Sequence, residues 1–242
     1  MTARHGVVAA VAAAVVVYFA WPRARTAAPP PVSDYVAPAA CAGCHAAIYK
    51  TYRQTGMGRS FGAARPDQAR FDADFFHSAS QRHYRMYARD GKLFQRRHQI
   101  DESGAETNVV EKEMHYVLGS GNHARTFLHR ASDGRLLQLP VAWYAERGGF
   151  WAMNPGYDSP RHKDFRRAIT TDCMFCHNAY PIPQPAEAVF PEALPGGIDC
   201  QRCHGPGRAH VDAQGTKASI VNPARLSRER QLEVCMQCHL ES

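Results

Sequence analysis

Eight cysteines stand in this chain as four pairs with one spacing: Cys41/Cys44, Cys173/Cys176, Cys200/Cys203 and Cys235/Cys238. A histidine follows each pair at once: His45, His177, His204 and His239. No cysteine is left over. C-x-x-C-H is the sequence that attaches c-type haem. Two thiols add as thioethers to the two vinyl groups of one porphyrin, one helical turn spans the gap, and the adjacent imidazole becomes the proximal ligand of the iron. Other uses of paired cysteines fit less well. A disulfide framework needs no histidine after each pair, and so short a loop makes a poor staple. A zinc ribbon takes two pairs per metal and leaves the histidines redundant. A thioredoxin-like redox motif occurs once, near a βαβ pattern. The pattern therefore predicts four covalently bound haems, eight attachment cysteines and four proximal histidines.

A low-spin iron also needs a sixth ligand. Beyond the proximal histidines and His5, eight imidazoles remain: His77, His83, His98, His115, His123, His129, His162 and His210. In "GIDCQRCHGPGRAH" the turn Gly205-Pro206-Gly207 reverses the chain and can aim His210 at a neighbouring iron. His123, in "GSGNHARTF", follows a glycine pair in the same way. His162 lies eleven residues before Cys173, and His77 closes the segment after the first haem. Each except His210 reads equally well as a polar or propionate-binding histidine. His83 and His98 flank a hairpin signal and read as exposed. Met57, in "YRQTGMGRSF", is a further candidate. A methionine there would raise the reduction potential relative to bis-histidine, although packing against haem is the commoner use of such a residue.

The elements that must position these groups are of three kinds. After Met1-Thr2-Ala3-Arg4-His5 an apolar run from Gly6 to Trp21 describes an export signal or an uncleaved membrane anchor. Residues 22–39, "PRARTAAPPPVSDYVAPA", read as a Pro/Ala-rich linker. The first haem segment, 40–76, begins with a helix in which Ile48, Tyr49 and Tyr52 share a face and Gly56 ends the run. Between 77 and 159 large and polar residues alternate about Asp90-Gly91, Asp133-Gly134 and Gly148-Gly149, which predicts a small antiparallel β-rich insert. From 160 to 242 three motifs follow in quick succession, separated by Pro/Gly-rich loops. So little aliphatic sequence buries little surface unaided, and haem must supply the core. Ser227 is a good N-cap for the last helix. The fold class this predicts is a mainly α, haem-packed multihaem cytochrome with irregular loops and a small β-rich insert.

The formal charge is +7 over 242 residues, yet no dense Lys/Arg run with interleaved aromatics occurs, so nucleic acid is not an expected partner. Four haems bring about eight propionate charges that nearly cancel the excess. Arg166, Arg167, Arg202 and Arg208 lie near the motifs and are candidate propionate partners.

The segments "CAGCHAAIYKTYRQTGMGRSF", "YVLGSGNHARTFLH", "MNPGYDSPRHKDFRRAI", "CMFCHNAY" and "GIDCQRCHGPGRAHV" with "IVNPARL" and "QLEVCMQCHLE" resemble multihaem c-type cytochromes of the cytochrome c-554 family. The resemblance is to the version that precedes tetratricopeptide repeats in bacterial proteins, and it covers most of the chain after residue 40. It implies electron transfer along haems stacked in close pairs and a continuation beyond Ser242. In the wider family a histidine often stands at the site of Met57 and ligates another haem; this chain departs from that pattern. The expected function is an exported tetrahaem carrier working between a donor and an acceptor protein, periplasmic or otherwise extracytoplasmic, and held at the inner membrane if its start is uncleaved. The alternative is a multihaem oxidoreductase acting on a small nitrogen or sulfur compound at a haem with an open axial position. The absence of a C-x-x-C-K motif favours the carrier, as does the number of haems. A docking module attached to a repeat domain is a third reading.

Overall fold

In the computed structural model, which describes residues 34–179 and 189–239, the chain between Phe61 and Ala168 forms eleven β-strands. The apolar start, His5 and most of the linker lie outside the described residues. Among the described residues no helix is long and apolar enough to cross a membrane.

The strands make two antiparallel sheets. Strand β1 (Phe61–Ala63) begins the larger one, and β2 (Ala73–His77), β3 (Arg82–Arg89), β4 (Lys92–Ile100) and β5 (Glu106–Glu113) form the other as a meander. The chain then returns to the first sheet through β6 (Tyr116–Leu118), β7 (Ala124–Arg130), β8 (Leu136–Gln138), β9 (Val141–Tyr144), β10 (Phe150–Met153) and β11 (Arg167–Ala168). Its order is β1-β6-β7-β8-β11, with β9 paired to β7 and β10 to β9. All three hairpin signals carry turns. Asp90 (φ +52°) and Gly91 (φ +74°) join Arg89 to its cross-strand partner Lys92, the two left-handed residues of a tight turn that matches strand twist.

One core lies between the sheets. Tyr84, Met86 and Leu93 pack with Phe127, Val141, Trp143 and Trp151, all buried. The buried Gln95 amide spans the two sheets, donating to the Val141 carbonyl (3.0 Å) and accepting from its N–H (3.0 Å). A second cluster joins Phe61, Leu128, Leu136 and Ile169 to Met174 and Phe190.

Among the described residues five helices carry the cysteine motifs or connect them: α1 (Ala39–Tyr52), α2 (Thr171–His177), α3 (Gln201–His204), α4 (Arg208–Asp212) and α5 (Arg228–Met236). Of these five, only α1 exceeds nine residues. The expectation of a mainly α chain is thus overturned: this is a mixed α/β fold whose strand content is comparable to its helix content. The physical reason is economy in the motif, since C-x-x-C-H needs only one helical turn, whereas the sandwich pulls in short strands as far apart as β1 and β11.

Candidate haem-binding site

Each motif is wound as a helical turn. His204 N–H donates to the Cys200 carbonyl (2.9 Å) and His239 N–H to that of Cys235 (3.0 Å), so the two thiols and the imidazole are fixed on one short coil. Cys200 occupies the N-cap of α3, and Asp199 Oδ1 accepts from the Gln201 N–H (3.0 Å). Ser227 Oγ caps α5 by accepting from Arg230 N–H (3.4 Å). Helix α1 is interrupted at His45 (φ −117°, ψ 39°), which breaks the helical course at the motif histidine itself. Helix α2 is docked on the sandwich by Met174, 5% exposed, from within the second motif.

The four motifs converge. Cys41 and Cys200 lie side by side, and the neighbouring sulfur raises the Cys41 thiol and lowers that of Cys200. Burial raises Cys238, and its contact with Cys176 raises it further. Burial raises Cys203 as well, with Cys235 close enough to add to the effect. The Arg202 guanidinium lies 4.3 Å from the centre of the Phe175 ring, and Gln237 Nε2 donates to the Arg202 carbonyl (3.0 Å). Ser60 bridges two motif segments, donating from Oγ to the His177 carbonyl (3.0 Å) and accepting from the Ile198 N–H (3.2 Å). The third motif is the centre of this arrangement, touching each of the others. Among the described residues no three His, Cys, Asp or Glu side chains are grouped to hold a single metal ion.

Between the first and third motifs lies a cavity of about 820 Å³, lined by Cys41, Cys44, His45, Ile48, His204 and His210 among others. Its volume is in the range of cofactor sites. The His45 and His210 rings stand 6.4 Å apart between centres, 11° from parallel. Both rings line the cavity, and both are imidazoles able to hold an iron bound there. The His210 Nδ1–H donates to the Thr216 carbonyl (3.1 Å) and the His204 Nδ1–H to that of Val221 (2.8 Å). Each bond fixes the tautomer that leaves Nε2 as a ligand. Burial lowers the His177 imidazole, which keeps it neutral and able to ligate. Among the described residues, Arg202 Nη2 and the Tyr52 hydroxyl are buried beside the motifs without a protein partner, donors suited to a propionate. These residues fit haem.

Other candidates stand elsewhere. His162 is 5% exposed within the sandwich; its Nε2 meets Arg82 Nη1 (3.0 Å) and the Tyr84 hydroxyl (3.3 Å), and its Nδ1 meets the Asp164 N–H (3.1 Å). His77 is buried at the end of β2, bonded through Nδ1 to Ser80 Oγ (2.7 Å), its ring 5.7 Å from that of His162. His123 is exposed at the entrance to β7, after a loop whose Asn122 accepts from Arg59 (3.3 Å). The Met57 side chain is 48% exposed, while its carbonyl accepts from the Ile198 N–H (3.0 Å). His83 and His98, half-buried cross-strand partners, have their rings 5.1 Å apart; His115 and His129 make a second pair at 5.1 Å. Of the arginines, Arg202 is buried; Arg166 bonds the Lys163 carbonyl, Arg167 that of Pro155 and Arg208 that of Tyr35. Sequence reading did not single out Gln201 or Ser60, because isolated polar residues give no periodic or spacing signal, and it placed Tyr52 on a helical face without assigning its hydroxyl.

The fold is similar to that of a known cytochrome. The crystal structure of the outer cell wall cytochrome OcwA superposes with a TM-score of 0.50 at 19% identity, over 85% of this chain and 37% of that one. An undecahaem cytochrome from the S-layer of Carboxydothermus ferrireducens gives 0.46 at 18% identity, over 94% of this chain and 28% of that one. At these identities the likeness is one of fold, and the second superposition is too loose to add to the first. The chain spans well under half the length of either. No family model and no curated protein matches it.

Proposed function

We propose that this chain is an exported tetrahaem c-type cytochrome of the c-554 type that passes electrons between redox proteins along closely spaced haems. The observation that carries this reading is the convergence of the four C-x-x-C-H turns on one another, with His45 and His210 facing across a cofactor-sized cavity. Haem supplies a one-electron iron couple, whose potential follows its axial ligands, burial and nearby charge. The protein's part is to hold and space. Cys41/Cys44, Cys173/Cys176, Cys200/Cys203 and Cys235/Cys238 would attach the groups, and His45, His177, His204 and His239 would each hold an iron. His210 would supply a sixth ligand to the first haem, and the buried Arg202 would offset propionate charge. With Cys41 beside Cys200, Cys176 beside Cys238 and the third motif touching the second and the fourth, the four motifs would hold their haems close enough for electrons to pass between them.

The proposed organisation is a leader or anchor over 1–21, a linker over 22–39, a first haem segment over 40–76, a β-rich insert over 77–159 and a three-haem segment from 160, in an extracytoplasmic setting. The test is spectroscopic. The ferric protein is expected to be wholly low-spin, and the reduced protein not to react with carbon monoxide. A high-spin fraction with a carbon monoxide adduct in the native protein would instead support an oxidoreductase with an open axial position.

A further inference from the structure

We infer that Gln201, the first residue between the cysteines of the third motif, is a positioning residue that sets His210 opposite His45. The inference rests on the reading of those two histidines as axial ligands of the first haem. Gln201 is 2% exposed, and its amide makes four hydrogen bonds to three separate segments. Oε1 accepts from Val36 N–H (2.9 Å) and from Gly207 N–H (3.0 Å). Nε2 donates to the Val36 carbonyl (2.8 Å) and to Asp199 Oδ2 (3.1 Å). A primary amide is the side chain that closes both backbone groups of one residue at once, and both oxygen lone pairs and both N–H groups are used here. What it joins is informative. Val36 lies five residues before Cys41, so the clamp fixes the approach to the first motif. Gly207 lies three residues before His210 and is the N-cap of α4, the helix that carries it. Asp199 precedes Cys200. One buried amide therefore sets the third motif against both sides of the cavity where His45 and His210 meet. The turn is tightly packed on it: a Cβ at Gly207 would lie 3.0 Å from Gln201 Oε1 and 3.2 Å from Val36 Cγ2.

The test uses the full chain matured with haem, comparing Gln201→Leu and Gly207→Ala with His210→Ala and the native protein. Haem number is counted by mass, and the ligands are read by ferric spectrum and by carbon monoxide binding after reduction. His210→Ala is expected to keep four haems and make one of them high-spin and reactive. Gln201→Leu removes the clamp, and Gly207→Ala pushes against it from the turn. Each is expected to keep four haems and to make a share of that one haem reactive to carbon monoxide, where the native protein is unreactive. Added imidazole should return both to low spin by filling the sixth position, a rescue that general loosening of the fold would not give. Either variant retaining four haems with a native, unreactive spectrum would overturn the inference, and if Gln201→Leu fails to mature, Gly207→Ala decides. His210→Ala with a native spectrum would instead sink the ligand assignment beneath it.

Discussion

His210 and His162 show what a ring's partners decide. The first donates Nδ1–H to a carbonyl and keeps Nε2 for another use, while the second has polar partners at both nitrogens inside the sandwich. Burial, together with the cations Arg82 and Arg97 and the neighbouring His77, pulls the His162 imidazole down to about 4, against the opposing pull of Asp164. Tyr84 and Tyr157 close the remaining sides. The sign follows directly. An unfolded histidine takes up its proton near pH 6.5, so the unfolded state binds more protons than the folded one between about 6.5 and 4. Stability is therefore lost as pH falls through that window, by up to about 3 kcal/mol. Urea midpoints across it should fall steadily in the native protein and flatten in His162→Phe; an equal slope in both would remove His162 as the cause. The residue scale was partly legible in the sequence. The turn before His210 was legible because glycines flank it, and the helical winding of the cysteine motifs because their signal is local and repeated. Gln201 was not, because its role depends on Val36, 165 residues away.

Helix α2 connects the two halves of the fold, since Met174 sits in the second motif and also in the cluster of Phe61, Leu128 and Leu136. The helices α1, α4 and α5 contribute no buried residue to the protein's own packing. Met174→Ala should therefore cost roughly 2–5 kcal/mol, typical of truncating a buried methionine. Urea denaturation with haem content checked by mass would measure it, and a loss below 0.5 kcal/mol, the usual scale of surface changes, would show that α2 is not held by this side chain. The extent of strand structure was the element-scale feature the sequence hid. Hairpins announced themselves through Asp90-Gly91 and similar turns, but β1 and β11, three and two residues long, have partners far away in the chain and too few residues to show a period.

At the scale of the whole molecule, a β-sandwich supplies a rigid support, and short motif turns gather along one another with apolar Ile48, Phe175, Val211, Leu232 and Met236 exposed around them. Such a surface suits a porphyrin-built interior, which makes covalent attachment the claim on which ligands, spacing and electron transfer all depend. The most direct measurement is the mass of the protein, purified from a host that matures c-type cytochromes and then denatured. The account predicts a red polypeptide heavier than its amino acids by four haems. A colourless product at bare polypeptide mass, or one carrying zinc, would contradict it.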